Sequence, residues 1–231
     1  MTALTILVPT RGRPANLARL QAAFVATCDE PTMLVALVDN DDPELPGYQA
    51  LANRLREEPF FRMETGPRLR LGPTLNEVAP KWAARSDAVG FFGDDHLPRT
   101  AGWDGRYLAE LQRLGTGLVY GNDLIQGQAL PTQVAMTSDI VRATGYMVLP
   151  GAAHLWLDNA WLSLGQALDA ITYLPDVIIE HLHPIAGRAP WDAGYAECNT
   201  DERSDTDRRH YEVWRTETLP LWVQQIKEYQ R

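Results

Sequence analysis

The 231-residue sequence predicts an α/β protein in which a mostly parallel sheet is flanked by helices. Three observations carry that expectation. First, Thr2–Pro9, Met33–Val38 and Ala88–Phe92 hold continuous apolar stretches, the pattern of strands covered on both faces. Second, residues at helical spacing alternate with these runs. Third, each run stops at polar residues: Thr10-Arg11, Asp39-Asn40-Asp41-Asp42 and Gly93-Asp94-Asp95-His96. In open sheets ligands gather outside the carboxyl ends of the strands, so these tips are where a site is expected.

The elements follow in order. Pro14 suits the first turn of a helix that carries Leu17, Leu20 and Phe24 through Thr27. Tyr48, Leu51 and Leu55 mark a helix over 48–58, and Phe60–Glu64 is a short third strand. Gly72-Pro73-Thr74 opens a helix with Leu75, Val78, Ala79 and Trp82 on one side, which Pro80 is expected to kink or divide. Beyond the Asp94-Asp95 tip, Trp103–Leu114 reads as a helix, Gly117–Tyr120 and Gln133–Met136 as strands, and Asp139–Thr144 as a short helix. Asp158 is expected to cap a helix that buries Trp161, Leu164 and Leu168. Ala170–Leu174 and Val177–Leu182 are two late strands parted by Pro175-Asp176. Ile185–Asp207, polar and glycine-containing, reads either as a loop able to close over a ligand, with Arg188 and Trp191 as contact groups, or as a mobile surface connection. Arg208–Gln230 is a terminal helix, bent near Pro220.

Composition narrows the function classes. A chain of this length forms one domain with a substantial core, and 45% hydrophobic with 22% charged residues is ordinary for a globular protein. A net charge of −9 argues against a broad electrostatic grip on nucleic acid or an anionic membrane, and leaves room for a small basic pocket. Cys28 and Cys198 lie far apart with no metal-ligand spacing, which suits a reducing compartment. No stretch approaches the roughly 20 apolar residues that span a bilayer. The N-terminus enters a strand directly, without a charged leader, so a cytoplasmic, membrane-free protein is expected.

The tips also suggest a chemistry. Two adjacent carboxylates repel unless a cation or ligand donors offset them, so Asp94-Asp95 reads as a divalent-metal and phosphate site, with a solvated turn as the plainer alternative. A carboxylate at Asp39 can accept hydrogen bonds from a base N–H or from ribose hydroxyls. Arg11 and Arg13 sit between strand and helix, one way to bind phosphate, although loop arginines are more often merely solvated. His181 and His183 are two apart in a strand and face the same side, which favours a metal role for at least one. Trp103, Trp156, Trp161 and Trp191 offer a stacking face for a sugar, although tryptophans near helices are more often core.

Together ILVPTRGRP, LVDNDD, GPTLNEVAPKWAARSDAVGFFGDDH, LDNAWLSLG and EHLHP resemble a GT-A glycosyltransferase of the broad family 2 type. The likeness covers roughly residues 3–190. In detail the chain is similar to bacteriophage-encoded members, in which the His-Leu-His-Pro end precedes a loop like Gly187-Arg188-Ala189-Pro190-Trp191-Asp192. The resemblance implies a Rossmann-like GT-A domain over 1–231: a nucleotide-binding half (1–96), an acceptor and catalytic half (97–190), and a closing loop with the C-terminal helix (191–231). It implies a UDP- or GDP-sugar donor and Mn²⁺ or Mg²⁺. Pro9, Thr10 and Arg11 would lie along the nucleotide base, Asp39 would accept a hydrogen bond from it, and Asn76 would lie near the ribose or base, with Thr74 beside it. Asp94-Asp95 match a DxD-type motif, Asp94 on ribose and Asp95 on the metal. His183 would complete the metal site, Arg188 would reach the diphosphate, and Asp158 would be the base of an inverting transfer. Where the family usually has two acids, this chain has Leu157-Asp158. A modified DNA base, a virion protein or a glycan would be the acceptor. Two other readings stand beside this one. A nucleotidyltransferase would use the same sheet and paired acids, but Thr10-Arg11-Gly12-Arg13 is a poor match to its glycine-rich loop. A non-catalytic nucleotide- or sugar-binding module would not need the missing second acid.

Overall fold

A computed structural model describes residues 2–230. Strands β1 (Thr2–Thr10), β2 (Thr32–Asp39), β3 (Phe61–Gly66) and β4 (Ser86–Phe91) alternate with helices α1 (Pro14–Thr27), α2 (Leu45–Arg54) and α3 (Leu71–Ala83). Then come β5 (His96–Pro98), α4 (Trp103–Leu114), β6 (Leu118–Asn122), β7 (Val134–Thr137), α5 (Ser138–Thr144), α6 (Leu157–Leu168) and β8 (Ile171–His181). Helices α7 (Ala193–Cys198), α8 (Asp201–Val213) and α9 (Leu219–Tyr229) close the chain. The sheet order is β3-β2-β1-β4-β7-β6-β8-β5. The pairings make β1–β4, β6 and β8 run one way and β7 and β5 the other.

The apolar runs split by side-chain direction, as a pleated strand requires. Leu34, Ala36 and Val38 of β2 join Leu17, Leu20 and Phe24 of α1, Tyr48 of α2 and Trp103 of α4 in the core on one face. Met33, Val35 and Leu37 point the other way, into a core built from α3, α5, α6 and α9. Both faces are therefore dry, which is why these strands are continuously apolar. No described helix is long and apolar enough to cross a membrane.

Four expectations need correction. Pro80 does not divide α3; the helix runs on to Ala83, and Ala84 N–H bonds to the Pro80 carbonyl at 3.2 Å. The two late strands are one, β8, because the chain bulges at Pro175–Val177: Gly121 pairs with Leu174 and Asn122 with Ile178. Asp158 is not the cap of α6 but its second residue; Trp156 holds the capping position with φ +66°. The loop expected over 185–207 contains α7 and the first half of α8, whose starts are capped by the side chains of Asp192 and Thr200. The terminal helix continues through a π turn at Trp214–Thr218 into α9.

Candidate active site

The register places the carboxyl ends of β1, β2 and β4 side by side, and their polar residues meet. Thr10 Oγ1 donates to Asp94 Oδ2 at 2.6 Å and lies 2.8 Å from the Tyr48 hydroxyl, which in turn accepts from the Arg13 N–H at 2.8 Å. Pro9 lies next to Thr10 at the end of β1, in register with Leu37 of β2. Arg11 Nη1 donates to Asp39 at 2.9 Å and to Asp41 at 2.6 Å, and Arg68 Nε stands 3.8 Å from Asp39. Burial pushes the Asp39 carboxyl up, and Arg11 offsets only part of that. Arg13 lies 3.3 Å from Asp94 and forks onto Asp192 with two bonds of 2.7 Å. The two arginines are thus paired groups lining the tips, not solvated loop charges.

Asp94 and Asp95 are both buried, yet their surroundings differ. Burial and the neighbouring Asp95 charge push the Asp94 carboxyl up, against Arg13 and Thr10. Burial also disfavours the Asp95 charge, but the imidazoles of His181 and His96 outweigh it and hold that carboxyl low. His181 arrives from the end of β8, which β5 pins beside the tip through the His96–His181 register. Its Nε2 is 3.4 Å from Asp95 and its Nδ1 is 3.9 Å from Asp123. Burial opposes a charge on His181, but Asp123 and Asp95 overcome it and raise its pKa to about 9. Asp123 is held by three backbone N–H groups, from Ile125 to Gly127, and by Thr132.

His96 stacks on His181 with ring centres 4.0 Å apart, and its Nδ1 accepts from the Gly93 N–H at 3.0 Å. Burial keeps His96 neutral, with a pKa of about 4. His183 stands one ring further out, edge-on to His181 at 5.1 Å and to Tyr195 at 4.8 Å. Its Nδ1 accepts from the Ile185 N–H at 3.2 Å, so Nε2 carries the proton in the neutral ring. Tyr195 fills the space between, donating its hydroxyl hydrogen to Asp95 Oδ2 at 2.6 Å.

The donor atoms of Asp95, His96 and His181 lie within 4.8 Å of one another, the spacing a small cation needs. One carboxylate and imidazole nitrogens suit Mn²⁺ better than Mg²⁺, which prefers an all-oxygen shell. His181 is the imidazole aimed at Asp95, whereas the Gly93 bond gives His96 a structural task. Sequence reasoning selected His183; the cluster that forms holds His181, with His183 adjacent.

The second wall is the start of α6. Residues 147–156 pack over α3, where Gly72 leaves no room for a side chain against the Ala152 carbonyl. Asn76 is engaged with this segment: its amide bonds the Val148 carbonyl and the N–H groups of Met147 and Val148, each at 3.0 Å. Neither Asn76 nor Thr74, in the first turn of α3, is hydrogen-bonded to the Asp94-Asp95 cluster among the described residues. Asp207 of α8 fixes the same segment from the other side by accepting from the N–H groups of residues 153–155 at 2.8–2.9 Å. Asp158 follows, partly buried. Burial raises its pKa to about 7, with His181 drawing it down and Asp123 pushing it up. No other side chain donates to it among the described residues.

The remaining expected contacts are scattered. Arg188 is exposed and pairs with Glu180 at 3.1 Å. Trp103 and Trp161 are core residues; Trp191 is 60% exposed, and Trp156 stacks on Tyr211 at 5.4 Å. Sequence reasoning missed Tyr195, Asp123, Glu197, Arg68 and Arg70. For Tyr195 and Glu197 the one sequence signal is indirect: Asp192 and Thr200 are good helix-capping residues that mark α7 and α8 inside the supposed loop.

No family model matches the chain, and no curated protein matches it. Solved structures do. A mannosyltransferase from Pyrobaculum calidifontis, PcManGT, in complex with GDP-Man and Mn²⁺, is 13% identical with a TM-score of 0.61, over 99% of this chain and 74% of that one. S. aureus TarS 1–349 in complex with UDP is 12% identical with a TM-score of 0.61, over 95% and 75%. The same protein in complex with UDP-GlcNAc gives 11% identity and a TM-score of 0.57, over 98% and 80%. What is shared at these identities is the fold: the chain has the GT-A architecture that its sequence resembles.

Proposed function

We propose that this chain is a glycosyltransferase that moves a sugar from a nucleoside-diphosphate sugar to an acceptor hydroxyl with the help of a divalent cation. The observation that carries the reading is the convergence of Thr10, Asp94, Asp95 and His181 at the carboxyl ends of parallel strands. It is supported by the fold shared with PcManGT, whose structure holds GDP-Man and Mn²⁺. Asp95 is the carboxylate ligand, partnered by an imidazole from the end of β8, His181 or His183. When bound, Mn²⁺ or Mg²⁺ supplies a Lewis acid that offsets the charge developing on the departing diphosphate.

The chain's own residues do the rest. Pro9, Thr10, Arg11 and Asp39 line the base end of the donor site, Asp94 faces ribose, and Thr74 and Asn76 border it. Arg188 reaches the diphosphate as the closing segment moves. Asp158 takes the proton of the acceptor hydroxyl while that oxygen bonds to the anomeric carbon and the bond to the diphosphate oxygen breaks, inverting the centre. Its single carboxylate suits this task because a pKa of about 7 makes it a stronger base than an exposed aspartate and still leaves much of it ionised at neutral pH. A sugar on a modified DNA base, a virion protein or a glycan is the product class.

Thermal melts with UDP, GDP and their sugars, each with and without Mn²⁺, test this directly, because a ligand that binds only the folded state raises the melting temperature. A cation-dependent rise with one nucleotide is expected, followed by metal-dependent release of sugar from the matching donor. Binding without any turnover of donor would leave a binding module instead.

A further inference from the structure

One short segment makes three polar contacts into the candidate site. Asp192 forks onto Arg13 with bonds of 2.7 and 2.7 Å. Tyr195 bonds Asp95 at 2.6 Å, and its ring lies 3.9 Å under the Arg13 guanidinium. Glu197 bridges two arginines, accepting from Arg68 at 2.7 and 2.9 Å and also from Arg70. A carboxylate on an arginine fork has the same planar, two-bond geometry as a phosphate on that fork.

Two further observations point the same way. Arg70 has φ +77° and ψ 172°, a region that essentially only glycine adopts, and it does so at the start of α3 with its side chain turned to Glu197. Little apolar burial holds the segment down: of residues 185–199 only Tyr195 is buried, whereas Ile185 is 73% and Trp191 60% exposed. What fastens it is the set of groups that a ligand would use. Arg13 and Arg68 also face Asp94 and Asp39, so each keeps one acidic partner when the segment leaves.

We propose that Arg13, Arg68 and Arg70 form an anion-binding wall for the phosphate oxygens of a nucleoside diphosphate, and that Asp192, Tyr195 and Glu197 occupy it as an internal stand-in which the ligand displaces. This deepens the transferase reading and rests on it. The carboxylates take the place of ligand anions, and the Tyr195 hydroxyl takes the place of a cation at Asp95.

Two double variants separate a stand-in from a merely structural strap. D192N/E197Q removes the two charges of the occupant, and R68Q/R70Q removes part of the wall. Both loosen the segment, so trypsin should cut after Arg188 faster than in wild type without any ligand. Calorimetric titration with UDP or GDP plus Mn²⁺, and with inorganic pyrophosphate plus Mn²⁺, should then move in opposite directions. Loss of three partly exposed ion pairs predicts binding roughly three- to hundredfold tighter for D192N/E197Q, and at least about tenfold weaker for R68Q/R70Q. If wild type binds the nucleotide and both variants match it, or both shift the same way, the stand-in is overturned and the transferase reading stands. If neither wild type nor any variant binds a nucleoside diphosphate, the transferase reading falls and takes the stand-in with it.

Discussion

The Asp94-Asp95 tip and the start of α6 each present aspartate to the cleft, and they treat it in opposite ways. At the tip Asp95 sits against His181 and His96, whose interactions overcome burial and keep it ionised. At α6 the Asp158 carboxyl has no donating side chain beside it among the described residues, and burial prevails, raising its pKa to about 7. The position of Asp158 in the first turn of a helix, where the dipole favours charge, does not reverse that outcome. The lesson is that residue type and helix position do not assign a role; the count of opposing charges around a buried carboxyl does. A permanently ionised acid suits cation binding, and one poised near neutrality suits proton transfer.

The contrast is open to attack by mutation. The largest effect is expected at the tip: Asp95→Ala should reduce metal-dependent turnover to background and abolish the Mn²⁺-dependent shift in thermal melts. Asp158→Asn should lower kcat by about 10²–10⁴-fold while donor affinity, read by calorimetry, stays within about twofold. The pH profile sharpens this. A base must be deprotonated to act, so the wild-type rate should fall about tenfold per pH unit below about 7 and level off above it, and the Asp158→Asn enzyme should lose that limb. A smaller effect separates the two histidines: loss of a true ligand should weaken Mn²⁺ binding about 10–100-fold, so His181→Ala should exceed His183→Ala if the cluster in the structure is the one that binds. Least of all, Arg11→Ala, which breaks ion pairs to Asp39 and Asp41, should cost stability only about 0–1 kcal/mol in chemical denaturation, because Asp41 is exposed and Arg11 and Asp39 both keep partial contact with solvent.

Much of the first half was legible because its signals are local. Apolar runs marked β1, β2 and β4, and the acids that end β2 and β4 fall where parallel strands deliver them. The second half was legible in its helices, such as Trp103–Leu114, and less so in its sheet. Pro175 reads as a break, yet a bulge absorbs it. Polar composition over 185–207 hides two helices, because α8 buries little apolar surface and is anchored by Asp207 through backbone bonds to residues 153–155. Contacts such as Tyr195 to Asp95 and Glu197 to Arg68 join residues 100 or more positions apart, and no spacing in the chain announces them. Asn76 carried the opposite lesson: a residue in the most distinctive stretch of the sequence turned out to clamp backbone.

The most direct test of the account is the position of the ion in a complex of this protein with Mn²⁺ and the nucleoside diphosphate that thermal melts select, located by the anomalous scattering of manganese. The account predicts manganese in contact with Asp95 and an imidazole of the β8 end, with the diphosphate on its far side. Manganese bound elsewhere, with Asp95 still bonded to Tyr195 and the nucleotide in place, would contradict it.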